Sequence, residues 1–200
     1  MRGADLLPED AMELQELVDI FIQVWEAALQ VACETPQGLI LRDYIADNLM
    51  HVDIGGAEAP TEDGTAQAPA IELQQVGVID FQDGGIGPRL YDLVSLLEDV
   101  RRDIPAETKA MMQQGYLKSS GLDEAAFRSA YNIMKAQRMT RILGVFARLA
   151  IDEGNDSYMK FVPRAWQLLE EALVAEPELD GVRAWFDRNV PEQYRAALVG

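Results

Sequence analysis

Apolar residues recur at spacings of three and four through Leu14, Leu17, Val18, Phe21, Ile22, Trp25 and Leu29, which predicts an amphipathic helix over residues 8–33. Pro8, Glu9 and Asp10 suit its first turn: proline lacks an N–H that this turn could not use, and carboxylates favour the positive helix end. Thr35-Pro36-Gln37-Gly38 stops it. The pattern then changes. Residues 38–53 read GLILRDYIADNLMHVD, two short apolar runs around a polar loop, and 38–52 is expected to form a hairpin. Residues 53–70 are rich in Gly, Ala, Pro and acid without periodicity, and read as a flexible, exposed excursion. IELQQVGVIDF follows as a strand ending on Asp80, and QDGGIGPRL as a glycine-rich turn, so 71–90 forms a strand-loop unit. Gly84-Gly85 and Gly87-Pro88 have the composition of a phosphate cradle, but no lysine follows them and a turn is the stronger reading.

Residues 91–200 read as a helical subdomain. YDLVSLLEDVRR places Leu93, Leu96, Leu97 and Val100 inward, and PAETKAMMQQGYLKS is a second helix. DEAAFRSAYNIMKAQRMTRILGVFARLAIDEG is a long helix with Phe127, Tyr131, Met134, Ile142, Val145, Phe146 and Leu149 along it. SYMKFVPRAWQLLEEALVA and ELDGVRAWFDRNV follow, with Pro163 either starting or kinking the former. The fold class is α+β, mainly α: one compact helical unit carrying a few short strands.

Composition narrows the partners. A net charge of −17 on 200 residues opposes nucleic acids and anionic membrane surfaces, both of which need clustered Lys and Arg. No segment approaches the ~18 consecutive apolar residues of a membrane span. The first residues show neither the apolar run nor the cleavage pattern of a signal peptide, so the expected location is the cytoplasm. Cys33, the single cysteine, sits in an apolar helical pattern and is expected to be buried.

Candidate chemistry gathers in the polar loop. Asp43 and Asn48 are spaced so that two flanking strands could project them into one cleft, although Asp and Asn are also ordinary turn residues. Asp80 ends an apolar strand and precedes glycines, which suits a hard oxygen ligand for Mg²⁺ beside a backbone free to bend. His51 has no second His or Cys near it and reads as a strand residue. Arg138, Arg141 and Arg148 recur along the long helix, where they could meet an acidic sugar or pair with the chain's own carboxylates; pairing is the stronger reading.

LRDYIADNLM, followed about thirty positions on by GVIDFQDGGIGPRLYDLVSLLEDV, resembles the aminoglycoside phosphotransferase family of kinase-like enzymes. AQRMTRILGVFARLA is similar to its sugar-kinase branch, which phosphorylates N-acetylmuramate and N-acetylglucosamine. The resemblance runs from about residue 8 to the C-terminus. It implies a protein-kinase-like C-terminal lobe, ATP and Mg²⁺ as cofactors, and a small hydroxylated acceptor, an amino sugar by its branch. Asp43 would be the catalytic aspartate, orienting the acceptor hydroxyl and taking its proton. Asn48 and Asp80 would hold Mg²⁺ against the nucleotide phosphates, because phosphoryl transfer rests on alignment and charge neutralisation. Asp92 would brace the catalytic loop, its competing reading being a plain helix-opening carboxylate. Arg42 is expected to brace the same loop rather than touch substrate.

Leu41 and Ile45 stand where the family often has histidine. The four lysines, Lys109, Lys118, Lys135 and Lys160, all follow Asp80, and a single helix precedes the loop. By the resemblance, this sequence is expected to be a C-terminal lobe without the N-terminal lobe that carries a glycine-rich loop and a phosphate-reaching lysine. The isolated chain is expected to turn over ATP weakly or undetectably. Two alternatives are a non-catalytic kinase-fold remnant or binding module, and half of a split enzyme needing an N-terminal-lobe polypeptide. A metal-dependent hydrolase using the same carboxylates ranks lower, because no metal-binding histidine accompanies them.

Overall fold

Helix α1 spans Ala11–Cys33 and is capped by Asp10, whose side chain accepts the Met12 N–H at 2.6 Å. The computed structural model describes residues 10–52, 76–190 and 195, so Pro8 and Glu9, in the expected opening turn, lie outside the described residues. Only part of the expected apolar stripe is covered. Trp25, Ala28 and Ala32 are buried, whereas Leu14, Val18 and Ile22 are exposed. Cys33 is exposed as well, contrary to expectation. The reason is rotational: one residue turns a helix by about 100°, and the inward position here belongs to Ala32.

The two apolar runs around the polar loop are not the arms of one hairpin. Strand β1 (Gln37–Ile40) and strand β2 (Leu49–His51) each pair with a strand from the next segment, β3 (Val76–Val78) or β4 (Gly85–Pro88). β1 lies antiparallel to β4, with Gln37 opposite Pro88 and Ile40 opposite Gly85. β2 lies antiparallel to β3, with Leu49 opposite Val78 and His51 opposite Val76. Gly85–Pro88 is therefore a strand and not part of the expected turn, which is confined to Phe81–Gly84 and closed by the Gly84 N–H on the Phe81 carbonyl. At Gly87 a Cβ would come within 2.8 Å of Ile40 Cδ1 on the facing strand, so the end of that side chain would have to shift. The expected 53–70 excursion lies outside the described residues.

Helix α2 (Leu90–Leu97) buries Leu90, Tyr91, Val94, Ser95 and Leu97. Leu93 and Leu96, expected inward, are only half-buried. Helix α3 (Ala106–Ser120) has no fully buried residue and ends on Gly121 in the left-handed conformation, φ 75°. The longest helix, α4 (Glu124–Asp152), is capped by Asp123, whose side chain accepts the Ala126 N–H. Pro163 falls in the first turn of α5 (Val162–Ala175), so it starts that helix rather than kinking it. Helix α6 (Asp180–Asn189) completes the order.

The molecule is a mainly helical domain with a few short antiparallel strands. Helix α4 is its axis, packed by α5, α1 and α2. Ile133, Met139, Leu169, Leu90 and Leu97 are almost completely shielded from solvent there. This core carries one wall of the site directly: Arg138, Ile142 and Phe146, one turn apart along α4, all reach the same cleft.

Candidate active site

The loop between β1 and β2 is fixed by the helices behind it. Arg42 has φ 66°, in the left-handed region that a non-glycine residue seldom occupies. The Asp43 N–H closes a tight turn on the Leu41 carbonyl at 2.8 Å. Three side chains hold this kink. Asp92, in the first turn of α2, accepts the Leu41 N–H at 2.8 Å and the Arg42 N–H at 3.1 Å. Ser95 Oγ donates to the Arg42 carbonyl at 3.2 Å, and Arg138 Nη1 donates to the same carbonyl at 3.0 Å. Burial pushes the Asp92 carboxyl above its ordinary pKa, although the two backbone donors pull it the other way. At Arg42, bracing runs through the main chain, since its side chain makes no hydrogen bond to a described residue.

A second set of contacts pins the far end of the loop. Arg101 grips the buried Asp99 with two parallel bonds, from Nε at 3.0 Å and Nη2 at 3.1 Å. Its remaining nitrogen, Nη1, lies 3.4 Å from Asp47. Arg102 also pairs with Asp47. The Arg102 hydrogen bond holds the Asp47 carboxyl below its ordinary pKa. Asp47 is thus committed to ion pairs and poorly placed to accept a proton.

Asp43 differs. Arg138 Nη1 and Arg141 Nη1 approach it at 3.9 and 3.8 Å, but both face the same oxygen, Oδ1. Oδ2 has no partner among the described residues. Of Arg138, Arg141 and Arg148 on α4, the first two therefore pair with the chain's own carboxylate, whereas Arg148 is exposed and forms no ion pair among the described residues.

Strand pairing brings the other two oxygens near. The Ile79 N–H donates to the Asn48 carbonyl at 3.0 Å, extending the β2–β3 ladder and setting Asn48 beside the Ile79-Asp80 peptide. Asn48 Nδ2 donates to the Asp43 carbonyl at 2.9 Å, which leaves its amide oxygen as the end available to a cation. Asp80 has φ 59° and is exposed, with Oδ1 accepting Gln82 Nε2 at 2.5 Å. Asp43, Asn48 and Asp80 all line one cleft of about 290 Å³, together with Asp47, Asp99, Arg101 and Arg138. Asp92 stands behind the loop rather than in this cleft. His51 is an exposed strand residue away from it.

One amide oxygen and one carboxylate fit Mg²⁺, a hard ion that keeps several waters and takes its other ligands from phosphates. Among the described residues no group of three or more His, Cys, Asp or Glu side chains forms a cage made of protein alone. Histidine- or cysteine-rich transition-metal chemistry therefore has no ligand set in the described part of the chain. The apolar side of the cleft is formed by Ile45, Val100, Ile142, Phe146 and Tyr158. Ile45, where histidine was noted as common, is buried.

Sequence reasoning missed Ser95, Asp99, Arg101, Phe146 and Tyr158 as site residues. The trailing YDLVSLLEDVRR could have pointed to Ser95, one turn beyond Asp92 on the same helix. Nothing in the local pattern marks Tyr158.

Residues 72–128 match the family model described as "APH: Phosphotransferase enzyme family". An N-acetylmuramate/N-acetylglucosamine kinase of Caulobacter vibrioides is 38% identical over 155 residues, covering 77% of this chain and 38% of that protein. Proteins of the same name from Neisseria meningitidis and Pseudomonas aeruginosa are 30% and 27% identical, over 82% and 88% of this chain. These alignments cover 47% and 46% of the two relatives. The chain spans less than half the length of the curated relatives it matches. Among the described residues no helix is long and apolar enough to cross a membrane.

Proposed function

The chain belongs to the APH phosphotransferase enzyme family, in the branch of the N-acetylmuramate/N-acetylglucosamine kinases, and from that premise we propose that its cleft transfers the terminal phosphate of ATP to a hydroxyl of a small amino sugar. The observation that carries this reading is the shared cleft of Asp43, Asn48 and Asp80. The acceptor hydroxyl donates to Asp43 Oδ2, the oxygen the arginines leave open. Its proton passes to that carboxylate as the alcohol oxygen bonds to phosphorus and the bond to the ADP oxygen breaks. Arg138 and Arg141 keep the carboxylate turned toward the acceptor. Asn48 and Asp80 would hold Mg²⁺, which when bound neutralises charge spreading over the phosphate oxygens. The braced loop keeps these groups in place, so that little reorganisation accompanies transfer.

An N-terminal-lobe polypeptide is a proposed partner, and the isolated chain is proposed to be weakly active. The exposed Asp80, with Oδ1 already taken by Gln82, favours one second reading, a non-catalytic binding module. Mn²⁺–ATP separates the two. Under the kinase reading it broadens the backbone NMR signals of residues 48 and 80, and Asp80→Ala abolishes the broadening. Broadening that is absent, or that survives Asp80→Ala, would leave the binding module standing.

A further inference from the structure

One wall of the cleft has no part in the proton transfer or the cation site. Phe146 is buried on α4, and Tyr158 stacks on it with ring centroids 5.3 Å apart and planes inclined by 22°. Ile142, one turn before Phe146, and Val100 extend the apolar side. Tyr158 is 36% exposed, and its hydroxyl makes no hydrogen bond to a described residue. Phe146 backs the tyrosine ring and holds its plane. The same cleft is lined by Asp43, whose Oδ2 is open, and by Asn48.

A cleft lined in part by flat aromatic surface and in part by polar, hydrogen-bonding groups fits a ligand with the same division. A single pyranose ring has it: C–H groups cover one face, and hydroxyls ring the edge. A purine base is the other flat candidate. The link to Asp43 favours the sugar, and the experiment below separates it from the base. The row Arg138–Ile142–Phe146 connects the aromatic wall to Asp43, the acceptor side of the chemistry.

We propose that Tyr158, backed by Phe146, is the acceptor-positioning platform of the cleft and takes one sugar ring by its C–H face, so that a hydroxyl on the ring edge reaches Asp43. This rests on the phosphotransferase reading above. It also makes the ring, and not the phenolic hydroxyl, the part that binds.

N-acetylglucosamine is the probe, with binding to the full chain followed by saturation-transfer NMR. Tyr158→Ala is expected to weaken sugar binding by about tenfold, with saturation concentrated on one face of the sugar in the unsubstituted protein. Tyr158→Phe retains affinity within about threefold. Both variants keep the circular-dichroism spectrum and the Mn²⁺–ATP broadening at residue 80. Sugar affinity unchanged in Tyr158→Ala overturns the platform, as does a loss of ATP contact in place of sugar, or no sugar binding by the unsubstituted chain. The wider reading fails separately, through Mn²⁺–ATP broadening that is absent or indifferent to Asp80→Ala. Asp80→Ala is expected to leave sugar binding unchanged.

Discussion

Left-handed backbone at a non-glycine residue costs on the order of 1–3 kcal/mol, and Arg42 pays it with a side chain that bonds to no described residue. The conformation survives because Asp92 holds the Arg42 N–H while Ser95 and Arg138 hold its carbonyl. Arg42→Gly is therefore expected to leave stability unchanged or raise it by up to about 1 kcal/mol, since glycine enters this region freely. Arg42→Val, β-branched in the same conformation, lowers it by more than about 1 kcal/mol. Urea denaturation of both variants checks the pair; equal losses would mean that the arginine side chain itself stabilises the fold. Asp92 supplies a pH signature. Its carboxyl is raised above 3.8 by burial, so the stability it contributes is fully present below that value and lost as pH rises through the folded value. Measured against the non-titrating Asp92→Asn, the unsubstituted protein should hold a larger advantage at about pH 4 than at pH 7. The reverse order would show that the Leu41 and Arg42 N–H groups outweigh desolvation. Compact motifs singled out Asp43, Asn48, Asp80 and Asp92 as candidates, and the structure gathers the first three in one cleft with Asp92 behind the loop. Arg138 was visible as a charge on the long helix, but its partner was not: it reaches Arg42 across 96 positions, a distance that no local pattern encodes.

At the scale of elements, periodicity located the helices and misjudged which sides they bury. In α2 the covered stripe runs Leu90, Tyr91, Val94 and Leu97, one step out of phase with Leu93 and Leu96, because α4 packs on that side. A stretch as densely apolar as LVSLL gives the hydrophobic pattern little to choose between. Strand pairing was illegible for a different reason. Two apolar runs separated by eight residues look like a local hairpin, and only the glycines of 84–87 hint that another backbone must come close. Gly87→Ala tests that closeness. A Cβ 2.8 Å from Ile40 Cδ1 forces the buried isoleucine to move, and the expected loss is about 1–3 kcal/mol. The melting temperature should fall accordingly. No change would mean that β1 and β4 have slack between them. Through Ile40 the same substitution would disturb the strand that delivers Leu41 and Arg42 to Asp92.

For the molecule as a whole, the two small ladders have a topological consequence. Residues 37–51 and 76–88 are laced together by β1–β4 and β2–β3, and each half is also anchored to the helical body, the first by the bonds of Leu41 and Arg42 to α2 and α4 and the second by β4 against α1. Continuity of the chain between Val52 and Val76 is thus not what keeps Asp43 and Asn48 beside Asp80. A protease site introduced at residues 60–65 and then cleaved should give two peptides that co-elute as one particle under native conditions and still show Mn²⁺–ATP contact at residue 80. Peptides that separate on cleavage would show that covalent linkage, and not the ladders, maintains the pocket. If they stay together, the candidate site is a composite held by two short backbone ladders, and its two halves could be supplied by separate polypeptides that find each other through those strands.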